Sequence, residues 1–152
     1  MFATGIECSN PTIDGGRTRR DQFEECGHYQ HWQEDLALVH ELGLKYLRYG
    51  LPIHRVYLAP DRFDWEFADL ALAELQRLGL TPILDLMHFG LPDWIVDYQN
   101  PDLPILFAAY CDAVAERYPW IRFFTPVNEI YVPRACPRSD RRRCGASTVG
   151  RQ

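Results

Sequence analysis

No stretch of this chain approaches the ~18 consecutive apolar residues needed to cross a membrane, so no membrane partner is expected. The amino terminus lacks a basic segment followed by an apolar one, so no secretory leader is expected and the predicted location is cytoplasmic. Cysteine is sparse and irregular: Cys8, Cys26, Cys111, Cys136 and Cys144. An odd count at these spacings gives neither a disulfide framework nor a zinc pattern, and reduced thiols are the expectation. The segment His28-Tyr29-Gln30-His31 is too loosely spaced for a metal site, so no metal is assigned. There is no surplus of positive charge either. The formal net charge is -5, and residues 1–133 carry ten basic against twenty acidic side chains. An acidic body disfavours nucleic acid as a partner.

The composition is that of one globular domain: 152 residues, 47% hydrophobic and 13% aromatic. Met1 to Glu7 reads as a first strand, and residues 9–30 as a long loop. A helix is predicted from about His31 to Leu42 on the spacing of Trp32, Leu36 and Val39, with Gly43 as its left-handed cap. Leu44 to Tyr49 reads as a second strand and Pro52 to Pro60 as a loop. Asp64 is placed to cap a second helix whose apolar face is Phe67, Leu70, Ala71, Leu75 and Leu78. After Gly79 a strand follows over 81–88, then a loop over 89–103. Pro104 suits the first turn of a third helix with the stripe Leu106, Phe107, Tyr110, Val114 and Tyr118. Ile121 to Val127 is a fourth strand.

Strand and helix alternate throughout, and Leu42-Gly43-Leu44 and Leu78-Gly79-Leu80 repeat at equivalent junctions. Such alternation predicts an α/β fold with parallel strands and helical crossovers. Four βα units are half of a (β/α)8 TIM barrel, which takes ~250 residues. The chain then changes character. Residues 134–152 hold six Arg and one Asp with no apolar periodicity. The predicted organisation is therefore a half-barrel over 1–133 and an Arg-rich tail over 134–152, disordered or foreign to the fold. The Arg run 141–143 is read as solvated, phosphate binding being the alternative.

Two strands end in polar side chains. Thr125-Pro126-Val127-Asn128-Glu129 closes on an amide beside a carboxylate, and Thr81 to Met87 leads into His88-Phe89-Gly90-Leu91-Pro92. Polar tips on consecutive parallel strands predict one shared site. An amide beside a carboxylate at a strand tip reads as a site of proton transfer to a sugar oxygen, since a carboxylic acid of raised pKa can give up a proton at neutral pH.

These two segments, together with Leu47-Arg48-Tyr49, resemble family 1 glycoside hydrolases, retaining β-glycosidases on a (β/α)8 barrel. The resemblance covers roughly residues 1–132. It implies Glu129 as general acid/base, Asn128 as the partner of the hydroxyl beside the reacting carbon, and His88 as a ligand of a glycone hydroxyl. Arg48 would hold the nucleophilic carboxylate, and Trp94 would line the entrance. The implied substrate is a β-glycoside or oligosaccharide, with no cofactor. The residue readings leave alternatives: His88 as a core histidine, and Arg48 paired with a structural carboxylate such as Asp85. The family's opening glutamine aligns with Thr12, a departure bearing on glycone preference. The family's nucleophile lies near the seventh strand and has no counterpart here, so little hydrolase activity is expected from these residues alone. A carbohydrate-binding pseudoenzyme, or a half-barrel that self-associates through open sheet edges, is the alternative expectation.

Overall fold

A computed structural model describes residues 2–13 and 17–130. The Arg-rich segment 134–152, and with it the predicted boundary after residue 133, lies outside the described residues. Four parallel strands form the central sheet: β1 (Ala3–Ile6), β4 (Tyr46–Gly50), β7 (Thr81–Asp85) and β8 (Phe123–Thr125), side by side in that order. Between β1 and β4 come the short hairpin β2 (Thr12–Ile13) and β3 (Thr18–Arg19), the single turn α1 (Gln22–Glu25) and the long helix α2 (His28–Glu41). Between β4 and β7 come α3 (Ile53–Val56), the hairpin β5 (Tyr57–Ala59) and β6 (Arg62–Phe63), and α4 (Glu66–Arg77). A 3-10 turn (Asp93–Ile95) and α5 (Leu103–Arg117) connect β7 to β8. The sheet is open. It is the predicted run of parallel βα units, without closure into a barrel.

The junctions explain the repeat. After α4, the Gly79 amide donates to the Gln76 carbonyl at 3.0 Å and the Leu80 amide to the Leu75 carbonyl at 2.9 Å. This is a Schellman motif, and Gly79 adopts the φ of +69° that it requires. Gly43 ends α2 at φ +72°, its amide donating to the His40 carbonyl at 2.9 Å. At the other end of α4, the Asp64 carboxylate accepts from the Glu66 amide at 3.0 Å, satisfying a donor the helix itself leaves free. Pro104 sits in the first turn of α5, where its missing N–H costs nothing.

The core lies between the sheet and the helices. Leu36 of α2, Leu72 and Leu75 of α4, and Tyr110 and Val114 of α5 pack with Leu47, Tyr49 and Leu84 of the strands. The face of α4 differs from expectation. Ala68, Ala71, Leu72 and Leu75 are buried, whereas Leu70 is exposed. The predicted loop 9–30 holds β2, β3 and α1, and α2 begins three residues early. His28 starts that helix because its ring is fully buried between Asp35 (2.6 Å) and the Tyr49 hydroxyl (2.9 Å).

Candidate active site

The carboxyl ends of β1, β4 and β7 enclose a cavity of about 200 Å³ lined by Gly5, Ile6, Glu7, Arg48, Asp85 and His88. Asp85, the last residue of β7, is part of its wall and joins Arg48 to His88. It is 2% exposed, so its carboxylate persists only with partners. Arg48, from β4, donates from Nη2 to Asp85 Oδ1 at 2.9 Å, while its Nε stands 2.8 Å from Oδ2 without hydrogen-bond alignment. His88 Nδ1 stands 3.1 Å from the same Oδ2. Burial works against ionising Asp85, but the hydrogen bonds from His88 and Arg48 and the Arg48 charge prevail, holding its carboxyl below the ordinary range.

The network extends in both directions. Arg48 Nη2 also donates to Asn128 Oδ1 at 2.7 Å, and His88 Nε2 stands 3.2 Å from Glu7 Oε1. Asn128 is itself fixed by its amide, which donates to the Met87 carbonyl at 2.9 Å, and the Leu86 amide donates to Thr125 at 3.0 Å. These two bonds carry the β7–β8 pairing beyond the strands and tie the two polar tips together.

The structure therefore brings Arg48, His88 and Asn128 into one connected group. Glu129 follows Asn128 directly but is exposed and is not among the cavity-lining residues. Its φ of +46° is uncommon for a residue with a side chain. Trp94 is placed elsewhere: its Nε1 donates to the Tyr57 carbonyl at 2.9 Å, its ring packs edge-on against Tyr57, and it is not part of the cavity wall. Thr12 pairs with Arg19 in the β2–β3 hairpin. From the sequence, two residues of the cavity wall carry no functional role: Asp85 reads as a structural partner of Arg48, and Glu7 as the end of a strand. The available signal was the same for both: a carboxylate ending an otherwise apolar strand.

The loops around the cavity are braced independently. Arg19 donates to the Asn10 side chain (3.1 Å) and to the Leu91 carbonyl (2.8 Å), joining the loop after β1 to the loop after β7. Gly90 permits this approach, since a Cβ there would lie 2.0 Å from Asn10 Oδ1. Asp21 caps α1 and accepts from the Tyr29 hydroxyl (2.9 Å) and lies 2.9 Å from His54 Nε2.

In (β/α)8 barrel enzymes the active site lies at the carboxyl ends of the strands, which is the end of the sheet where this cavity lies. The family model described as Glycosyl hydrolase family 1 matches residues 12–136, and the chain belongs to that family. Among curated proteins it is similar to a bifunctional β-D-glucosidase/β-D-fucosidase of Bifidobacterium breve, 30% identical, with 62% of this chain and 25% of that protein covered. It is also similar to the aryl-phospho-β-D-glucosidase BglA of Bacillus subtilis, 27% identical, covering 70% of this chain and 24% of the relative. Among solved structures, a family 1 β-glucosidase from Thermotoga maritima superposes with a TM-score of 0.64 at 25% identity, covering 70% of this chain and 26% of that one. The chain thus spans about a quarter of the length of these relatives.

Proposed function

We propose that this chain carries the glycone-binding and acid/base part of a retaining β-glycosidase site. The observation that supports it best is Arg48 joining Asp85 to Asn128 beside His88 at the carboxyl ends of neighbouring strands. In this reading His88 bonds a glycone hydroxyl, and Asn128 contacts the hydroxyl beside the reacting carbon. Glu129 delivers the proton to the leaving oxygen and later takes one from water. Arg48 keeps its guanidinium at the base of the site, where a nucleophilic carboxylate would be held. The reaction needs no metal or organic cofactor. A cytoplasmic location belongs to the same proposal, supported by the free thiols Cys8, Cys26 and Cys111. Among the described residues no helix is long and apolar enough to cross a membrane.

Calorimetric titration with an aryl β-glucoside tests the binding half. Heat that disappears in His88→Ala is expected, and binding indifferent to that change would overturn the proposal. Release of the aryl group tests the acid/base half, with Glu129→Gln expected to lower any turnover by about 100-fold or more. A second reading, a carbohydrate-binding pseudoenzyme, is favoured by Glu129 standing outside the cavity wall. It predicts binding that depends on His88, with a rate unaffected by Glu129→Gln.

A further inference from the structure

We propose that Arg19 is a positioning residue for this site: it clasps the loop after β1 to the loop after β7 and so fixes where the His88 ring stands. The proposal rests on the glycoside-binding role given to His88 and names what keeps that ring in place beside the cavity.

Arg19 belongs to β3 and reaches out of its hairpin with a side chain only 17% exposed. Its guanidinium forks. Nη1 donates to the Asn10 carbonyl and, at 3.1 Å, to Asn10 Oδ1. Nη2 donates to the Leu91 carbonyl at 2.8 Å and also meets the Asp93 carboxylate. The Asp93 side chain is 85% exposed, so that ion pair contributes little. The contacts that hold are those to Asn10 and Leu91, both buried. A planar fork spans two such acceptors, which a single point charge does not.

Both arms of the fork end close to the Glu7–His88 contact. Asn10 follows Glu7 by three residues, and its Nδ2 donates back to the Cys8 carbonyl at 2.9 Å. Leu91 follows His88 by three residues. On its other side His88 is anchored by the Asn128 amide, which donates to the Met87 carbonyl. Between these anchors lie His88, Phe89 and Gly90. Phe89 has a φ of +51°, costly for an aromatic residue, and its ring stands edge-on to the His88 ring with centroids 5.0 Å apart. Such a conformation persists only where the surroundings over-determine it. Gly90 approaches Asn10 so closely that a Cβ would lie 2.0 Å from Oδ1, the atom Arg19 also engages. The clasp thus holds the segment that carries the unusual Phe89 backbone. Without it Phe89 can return to an ordinary φ, and the adjoining His88 ring leaves its place beside Glu7. A binding group is only as precise as the contacts that support it.

The experiment records the histidine ring nitrogens by ¹⁵N NMR in the ligand-free full chain, in Arg19→Ala and in Arg19→Lys, which keeps the charge but not the fork. Each protein is then titrated calorimetrically with 4-nitrophenyl β-glucoside. In both variants the His88 resonances are expected to shift, while those of His28, held by Asp35 and Tyr49, stay in place. Affinity is expected to fall on the order of tenfold in Arg19→Ala, comparable to losing one hydrogen bond to the ligand. Folded variants with His88 unmoved would overturn the proposal, and so would affinity equal to that of the unaltered chain. A His28 shift as large as that of His88 would also count against it, because that pattern denotes general loosening. If neither variant folds, Arg19 serves the fold as a whole and the proposal fails. If the unaltered chain binds no glycoside, the glycoside-binding role fails, while the His88 resonances still decide whether Arg19 positions that ring.

Discussion

Asp85 and Arg48 form an ion pair whose two halves are not equally replaceable. Asp85 is 2% exposed, whereas the Arg48 side chain retains 38%. Removing the arginine leaves a buried carboxylate supported only by His88. Removing the carboxylate leaves a guanidinium that still reaches water and Asn128. Arg48→Met is therefore expected to cost about 3 kcal/mol of stability and Asp85→Asn about 1–2 kcal/mol. Urea denaturation of both variants checks the order, and an Asp85→Asn loss exceeding that of Arg48→Met would contradict it. The sequence supports His88 and Asn128 as polar residues beyond strand ends, and Arg48 as a residue within the second strand. It gives no indication that Glu7 and Asp85 would meet at one imidazole, because those contacts arise only when β1, β4 and β7 lie side by side. Nearness to His88 along the chain suggests Trp94 for the entrance, but its indole N–H is held by the Tyr57 carbonyl instead.

At the scale of elements, the Gly-terminated helices were readable because a left-handed cap has a strong chemical signature. Gly43 and Gly79 both take positive φ, and a Cβ at either would meet nothing within 4 Å. Replacing either by alanine should thus incur only the conformational penalty, about 1 kcal/mol. Gly50 is a different case. A Cβ there would lie 1.9 Å from Cys8 Sγ and 2.8 Å from Cys8 Cβ, so Gly50→Ala must displace the buried Cys8 segment after β1, or β4 itself, and should lower thermal stability well beyond the other two. Equal melting shifts for all three would refute this division. The apolar pattern favours Leu70 over Ala68 for the inner face of α4, whereas the small residue is the one that is buried. The two- and three-residue strands of the hairpins and the single-turn helices α1 and α3 are too short to show a period, so the sequence pattern reads as loop there.

At the scale of the whole molecule, three carboxylates are linked to stability through pH. Asp85 is held below its ordinary range against burial by His88 and Arg48, Asp21 against burial by His54, Tyr29 and Arg55, and Asp69 chiefly by its hydrogen bond from Arg117. A lowered folded-state value means these groups stabilise the fold fully above the unfolded aspartate pKa of about 3.9. That contribution is lost as pH falls through the lowered folded values. The urea midpoint should therefore decline from about pH 5 downward, and Asp21→Asn should flatten the decline; a midpoint independent of pH over that range would contradict this. The open sheet makes a second molecular-scale prediction. Phe123 and Phe124 of β8, at one edge of the sheet, are 48% and 38% exposed, and an exposed strand edge favours pairing. Sedimentation is expected to show self-association at micromolar concentration; a clean monomer would oppose it. The account's central claim is that His88 presents a sugar-binding nitrogen to the cavity between the strand ends. It is tested most directly by recording the histidine ring nitrogens by ¹⁵N NMR during titration with an aryl β-glucoside. The account predicts a saturable shift at His88 Nε2, with the buried rings of His28 and His54 unmoved. A saturating titration that leaves His88 unchanged would contradict it.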